Sequence, residues 1–197
     1  GSSSSVSDTY ALTVTNVNDA PTVANVISDQ SIAQGSALSF QFASDTFSDV
    51  DIGDSLTYTA TLSSGNSLPS WLSFDASTRT FSGTPTNSDV GSIDVKVTAT
   101  DGSSSSVSDT YALTVTNVND APEFASEPIL SAVEDSEYTY FVSISDPDFG
   151  DRVFVTADKI PTWLNYNSTL KKLSGTPSNA EVGEHDVQFS VTDSSGA

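Results

Sequence analysis

A stretch of 21 residues, GSSSSVSDTYALTVTNVNDAP, reads identically at residues 1–21 and at residues 102–122, an offset of 101 residues. A perfect copy at about one domain length makes the chain a tandem array. Within the copied stretch, Asp8 to Asn18 alternates, with Tyr10, Leu12 and Val14 on one face and Ala11, Thr13 and Thr15 on the other. That period of two predicts a half-buried strand. The strand runs into TNVNDAP, an acidic linker stopped by proline, at residues 15–21 and 116–122. The sequence therefore shows two domain joints, and the chemistry of the chain is expected there.

A chain of 197 residues has room for about two domains, each with its own core. It carries 6 basic and 26 acidic side chains, a net charge of −20. Such a chain repels nucleic acid and anionic membranes and favours cations. The acidic residues stand in small groups beside Gly, Asn and Pro, where loops bind hard metal ions; a solvated or halotolerant surface accounts for part of the charge. There is no cysteine and hence no disulfide framework. An extracellular domain without disulfides suits a bacterial surface or secreted protein better than an animal one. No apolar run is long enough to span a membrane and no signal peptide is present; beginning in mid-repeat, the chain reads as a piece of a longer array.

Three segments follow from periodicity: residues 1–20, the last strand and linker of a preceding repeat; residues 21–119, a complete domain; and residues 120–197, a second domain lacking its final strand. In the first domain Leu38, Phe40 and Phe42 alternate with polar residues, as do Leu56, Tyr58 and Ala60, then Ile93, Val95, Val97 and Ala99, then Tyr111, Leu113 and Val115. Gly, Pro, Asn, Asp and Ser fill the gaps, and no sustained helical period occurs. About seven short strands in about 100 residues predict an all-β Greek-key sandwich. The second domain repeats the pattern: LPSWLSFDASTRTFSGTP at residues 68–85 matches IPTWLNYNSTLKKLSGTP at residues 160–177, and SDVGSIDVKVTATD at residues 88–101 matches AEVGEHDVQFSVTD at residues 180–193.

These blocks resemble the cadherin-like domain of dystroglycan and of bacterial surface proteins, and the related immunoglobulin-like repeats of large bacterial adhesins. The residues that carry the resemblance are the turns at Trp71 and Trp163, the SGTP segments at residues 82–85 and 174–177, the VTATDG ending at Asp101 and Gly102, and the NVNDAP linkers. The resemblance implies tandem cadherin-like sandwiches, calcium at the joints, and a role in adhesion or as a spacer beside secreted polysaccharide-degrading enzymes.

In an immunoglobulin-like sandwich the loop between the second and third strands, the loop after the sixth strand and the incoming linker share one end. In the first domain this should gather Asn16, Asn18 and Asp19, then Asp49, Asp51 and Asp54 from DVDIGD, then Asp101. In the second it should gather Asn117, Asn119 and Asp120, then Asp146, Asp148 and Asp151 from DPDFGD, then Asp193. Calcium takes six to eight oxygens from such groups. Asp-x-Asp offers two carboxylates on one side of a turn, Gly53 or Gly150 lets the backbone bend, and the Asn side chains are expected to add neutral oxygens. Asp, Asn and Gly also favour turns with no metal, but two matching sets beside matching linkers favour calcium. By resemblance to cadherins, Asp89 is implied to contribute at the Asn117 to Asp120 joint. Glu181, with Glu134, would serve a further joint, and Gln34 stands where the first domain should match Glu134.

The remaining conspicuous residues read as structural. Trp71 and Trp163 are expected to pack against the sandwich. The tyrosines mostly fall on strand faces, leaving no aromatic platform for sugars. His185, aligned with Ile93, is expected to be partly buried, and without cysteine or a second histidine it is a poor zinc ligand. No nucleophile elbow, phosphate loop or triad is present, so no enzymatic activity is expected. The second domain shows nothing matching DTYALTVTNVN after its sixth strand; residues 8–18 of another molecule are a candidate to complete its sheet by strand addition, against disorder of residues 1–18. The leading expectation is a calcium-binding, calcium-rigidified extension and adhesion module of a bacterial surface or secreted protein. Its partners would be calcium, other copies of the repeat and surface polysaccharide. The competing readings are a calcium-dependent, lectin-like carbohydrate-binding module and calcium-dependent pairing between surfaces.

Overall fold

A computed structural model describes residues 1–196. The chain divides into two compact units, Gly1–Thr116 and Asn117–Ala197. Unit 1 contains β1 (Thr22–Val23), β2 (Gln30–Ala33), β3 (Leu38–Gln41), β4 (Phe47–Ser48), β5 (Thr57–Leu62), β6 (Leu72–Asp75), β7 (Thr80–Gly83), β8 (Gly91–Thr100) and β9 (Ser106–Thr116). One sheet has the order β2-β9-β8-β5, the other β3-β7-β6, and β1 pairs with β4 as a small ribbon. The two-residue strands of that ribbon account for the excess over the expected seven.

Alternation decides which side chains enter the layer between the sheets. Val95, Val97 and Ala99 of β8 and Tyr111, Leu113 and Val115 of β9 point inward and are buried, with Leu38, Phe42, Leu72 and Phe81 from the facing layer. Tyr111 meets Phe40 and Phe81 edge-on, with ring centroids 5.7 and 5.8 Å apart, so one side chain of β9 joins both sheets. β9 pairs antiparallel with β8, Leu113 opposite Ile93, and parallel with β2, Leu113 opposite Gln30. Both edges of its backbone are satisfied.

Unit 2 repeats this plan with β10 (Glu123–Phe124), β11 (Tyr138–Phe141), β12 (Ile144–Ser145), β13 (Phe154–Lys159), β14 (Leu164–Asn167), β15 (Lys172–Gly175) and β16 (Gln188–Thr192). The sheet β11-β15-β14 matches β3-β7-β6, while β13 and β16 form a sheet of two strands only. β16 spans 5 residues against 10 in β8, because nothing among the described residues lies on its outer edge. His185, expected to be partly buried, is exposed there. Its ring meets Trp163 edge-on at 6.1 Å and its Nε2 lies 2.7 Å from the Glu181 carbonyl.

The strand expected at Asp8 to Asn18 is likewise absent. Residues 1–20 form no regular structure, and Tyr10, Leu12 and Val14 are 81%, 80% and 88% exposed, against 2%, 1% and 3% for Tyr111, Leu113 and Val115 of the identical β9 sequence. A strand needs a neighbour for its backbone groups and a layer for its apolar face, and this copy meets neither.

The Trp turn and the SGTP segment hold each other in both units. β6 and β7 pair Leu72 with Gly83, and β14 and β15 pair Leu164 with Gly175. A Cβ on Gly83 would lie 1.8 Å from the Trp71 carbonyl oxygen, and one on Gly175 2.0 Å from that of Trp163. Only glycine allows the two backbones to approach so closely. Gly175→Ala is expected to destabilise unit 2 by about 3 kcal/mol through overpacking against backbone. Chemical denaturation, followed by Trp163 fluorescence in a Trp71→Phe background, measures it.

Candidate metal centres

The loop between β4 and β5 carries Asp49, Asp51 and Asp54, and Asp101 follows β8. Carboxylate oxygens of Asp49, Asp54 and Asp101 all lie within 4.8 Å of one another. The loop closes on itself: the Asp51 amide donates to Asp49 Oδ1 at 2.9 Å, and the Asp54 amide donates to the Asp51 carbonyl at 3.3 Å. Gly53, at φ +100°, makes the reversal possible between them. Asp101 is held by the turn that follows it, accepting from the Ser103 and Ser105 amides at 2.9 and 2.8 Å.

The linker residues clamp this loop pair. Asn18 Nδ2 donates to Asp101 Oδ2 at 3.1 Å and lies 3.2 Å from Ser105 Oγ, while the Asp19 amide donates to Asp51 Oδ2 at 2.8 Å. Asn18 thus presents its nitrogen to the cluster, not the expected neutral oxygen. It acts as a donor that orients Asp101.

Unit 2 reproduces the arrangement. Oxygens of Asp146, Asp151 and Asp193 lie within 4.8 Å of one another. Asp146 Oδ1 accepts from the Asp148 amide at 2.8 Å, and Asp148 Oδ2 from the Asp120 amide at 2.7 Å. Asn119 Nδ2 donates to Asp193 Oδ2 at 2.7 Å. Asp193 Oδ1 accepts from the Ser195 and Gly196 amides. Gly150, at φ +88°, takes the place of Gly53.

Asp51, Asp101, Asp148 and Asp193 are buried, at 9%, 6%, 4% and 4% exposed, where a carboxylate depends on the hydrogen bonds it accepts. Among the described residues the ion pairs are Lys159–Asp186 and Lys172–Glu137, neither of which touches a cluster. Asp49 Oδ2 and Asp146 Oδ2, at matching positions, are shielded from solvent without a hydrogen-bond partner. Partial desolvation, and then the charges of Asp49, Asp51 and Asp101, push Asp54 above the usual carboxylate range. Desolvation acts on Asp101 in the same sense, but the hydrogen bonds from Asn18 and the serine turn outweigh it and hold Asp101 below that range.

The donors are all oxygen, the set taken by hard divalent cations rather than zinc or copper. Calcium–oxygen distances of about 2.3–2.6 Å place ligands up to about 5 Å apart across the ion, which the clusters satisfy. Asn16 and Asn117 are exposed and stand outside the hydrogen-bonded groups. Asp89, beyond the opposite end of β8 from Asp101, accepts from the Thr86 amide and hydroxyl at 2.8 and 2.7 Å. Glu181 does the same with Ser178. The serine turns after β8 and β16 were not among the sequence candidates; the Asp-Gly-Ser run at Asp101 was the available sign, since Asp favours turns that bond back to its own carboxylate.

The family model described as "Putative Ig domain" matches residues 20–116 and 121–197. The chain belongs to this immunoglobulin-like family and consists of two tandem repeats of it. It is 29% identical over 135 residues to the "Serine-rich adhesin for platelets" of Staphylococcus aureus (strain USA300), a match covering 66% of this chain and 6% of that protein. The chain thus spans a small fraction of the curated relative's length. Its fold is similar to that of mouse Cadherin-23 EC22-24, with TM-score 0.58 and 17% identity over 91% of this chain and 62% of that one. A fucoidan-hydrolase chain from glycoside hydrolase family 107 is 26% identical with TM-score 0.42, covering 89% of this chain and 27% of that one. The chain is therefore a tandem immunoglobulin-like repeat whose fold is similar to that of cadherin repeats. No helix among the described residues is long and apolar enough to cross a membrane.

In chelator, Asp54→Asn is expected to raise the melting midpoint at neutral pH. A carboxyl with a raised folded-state pKa costs stability once it ionises, so the gain should shrink as the pH falls below the ordinary aspartate range. Thermal melts of both proteins across pH measure it.

Proposed function

We infer that the two acidic clusters bind calcium and that the bound ions stiffen an extension and adhesion module of a bacterial surface or secreted protein. The observation that carries this reading is the pair of matching orphan oxygens, Asp49 Oδ2 and Asp146 Oδ2. Each is shut off from solvent inside a group of three carboxylates, and the ion pairs among the described residues, Lys159–Asp186 and Lys172–Glu137, include no member of either group. A divalent ion would satisfy that oxygen and offset the mutual repulsion.

Stiffening follows from how the linkers are held. Asn18 and Asp19 already touch Asp101 and Asp51, and Asn119 and Asp120 touch Asp193 and Asp148. An ion would lock the loops that receive those bonds, leaving fewer free residues at each linker. The net charge of −20 and the similarity to a staphylococcal adhesin support a non-enzymatic role outside the cell.

Calorimetric titration with calcium chloride is expected to reveal binding, and calcium at about 100 times Kd to stabilise each folded unit by about 2.7 kcal/mol, a rise of roughly 11–22 °C in Tm for a domain of this size. Asp146→Asn keeps Oδ1 as an acceptor and should abolish the rise for unit 2 while leaving its chelator midpoint unchanged or higher. Small-angle scattering should show a narrower distribution of dimensions with calcium. Equal midpoints with calcium and chelator would overturn the reading.

A further inference from the structure

We propose that the Asp146–Pro147 peptide bond is a self-cleavage site, cut by the side chain of Asp146 when no cation occupies the unit 2 cluster. Protection by a bound cation rests on the calcium reading above; the cutting itself does not.

The two acidic loops differ at the residue after their first aspartate, which is Val50 in DVDIGD and Pro147 in DPDFGD. Nowhere else in the chain does proline follow aspartate. A prolyl bond is a tertiary amide, and its nitrogen departs as a basic secondary amine, a better leaving group than an ordinary peptide nitrogen.

The site prepares Asp146 as the nucleophile. Its Oδ1 accepts from the Asp148 amide at 2.8 Å, which holds the carboxylate against its own turn. Its Oδ2 is shielded from solvent and has no hydrogen-bond partner, so no hydration shell has to be stripped from it before it reacts. Carboxylate oxygens of Asp146, Asp151 and Asp193 lie within 4.8 Å of one another, and like charges so close raise the energy of the ionised group.

The step uses atoms of one residue and one water. Oδ2 attacks the Asp146 carbonyl carbon and closes a five-membered ring. A C–O bond forms, the C–N bond to Pro147 breaks with its electron pair going to nitrogen, and water gives that nitrogen a proton. The hydroxide left behind opens the cyclic anhydride at either carbonyl, and the acid proton formed on opening passes to the prolyl nitrogen. One water is consumed, residue 146 ends with two carboxylates and residue 147 begins with a secondary ammonium. Ring closure removes one negative charge from beside Asp151 and Asp193, so relief of repulsion favours it. Pro147 and Phe149 are exposed, which gives water access to the loop. A cation held at Oδ2 would occupy the attacking lone pair and neutralise the crowding. Unit 1 is the control within the same chain: Asp49 has the matching hydrogen bond from Asp51 and the matching orphan oxygen, but it is followed by valine.

The full chain is held with chelator at neutral pH, below its melting midpoint, and followed by intact-mass spectrometry and N-terminal sequencing. Fragments 1–146 and 147–197 are expected, with no cut after Asp49, and they should form more than about tenfold faster than from the chain unfolded in urea. In water enriched in heavy oxygen, label should divide between the side-chain and terminal carboxylates of residue 146, whereas direct hydrolysis labels the terminal one alone. Pro147→Val, which places the unit 1 residue in the loop, should slow cutting more than about tenfold while leaving the chelator midpoint unchanged, and saturating calcium should slow the native chain by a similar factor. Absence of the 147–197 fragment, equal rates from folded and unfolded chain, or label in the terminal carboxylate alone would each overturn the proposal. Calcium that binds by calorimetry yet leaves the rate unchanged would overturn it too. Cutting in chelator by a chain that binds no calcium would uphold self-cleavage and remove the calcium reading alone.

Discussion

The sandwich of unit 1 depends on one strand that closes two edges at once. β9 gives its backbone to β8 on one side and β2 on the other, and its Tyr111 touches rings of the facing sheet. Unit 2 has no strand in that place among the described residues, and the consequences are local and legible: β16 is half the length of β8, residues 130–133 form no strand, and the fully buried core draws on Tyr140, Val142, Leu164 and Leu173. The sheet β11-β15-β14 keeps the pairing of its unit 1 counterpart, since the Trp163 turn and Gly175 lock it independently.

The acidic end of each unit is organised by the opposite of attraction. Carboxylates converge there because backbone amides, and one asparagine of the linker, hold them by hydrogen bonds strong enough to keep Asp101 readily ionised. The same geometry crowds Asp54 with like charge and leaves Asp49 Oδ2 without a donor. A site of this kind is assembled from loops but fixed by the strands between which those loops run, so its two copies agree almost bond for bond. The linker is part of it through Asn18 and Asp19 in one unit and Asn119 and Asp120 in the other.

Membership in an immunoglobulin-like family and likeness of fold to cadherin repeats place these features in a common frame: a short all-β module, present twice in this chain, with its acidic loops at one end of each sandwich. Acidic side chains outnumber basic ones by 26 to 6 across the two copies. In both copies of the module the incoming linker bonds into the acidic loops at the end of the sandwich.

Much was readable from residues alone. Strict alternation at Leu38, Phe40 and Phe42, and at Val95, Val97 and Ala99, specified strands and the faces they bury, because a period of two admits no other regular structure. The two loop sets were likewise visible as DVDIGD and DPDFGD, since carboxylates at that spacing share one side of a turn. The parallel pairing of β2 with β9 was not visible, nor was Asn18 turning its nitrogen toward Asp101, nor the serine amides that hold Asp101; these depend on which atoms the fold brings together. His185 shows the limit clearly: its alignment with Ile93 was sound, yet its burial depended on a neighbouring strand. The identical sequences at residues 5–15 and 106–116 make the same point in its simplest form. Their composition and period determined which face would be apolar, and only a sheet with a vacant edge decided whether the segment became a strand, because β-structure draws its hydrogen bonds from partners elsewhere in space.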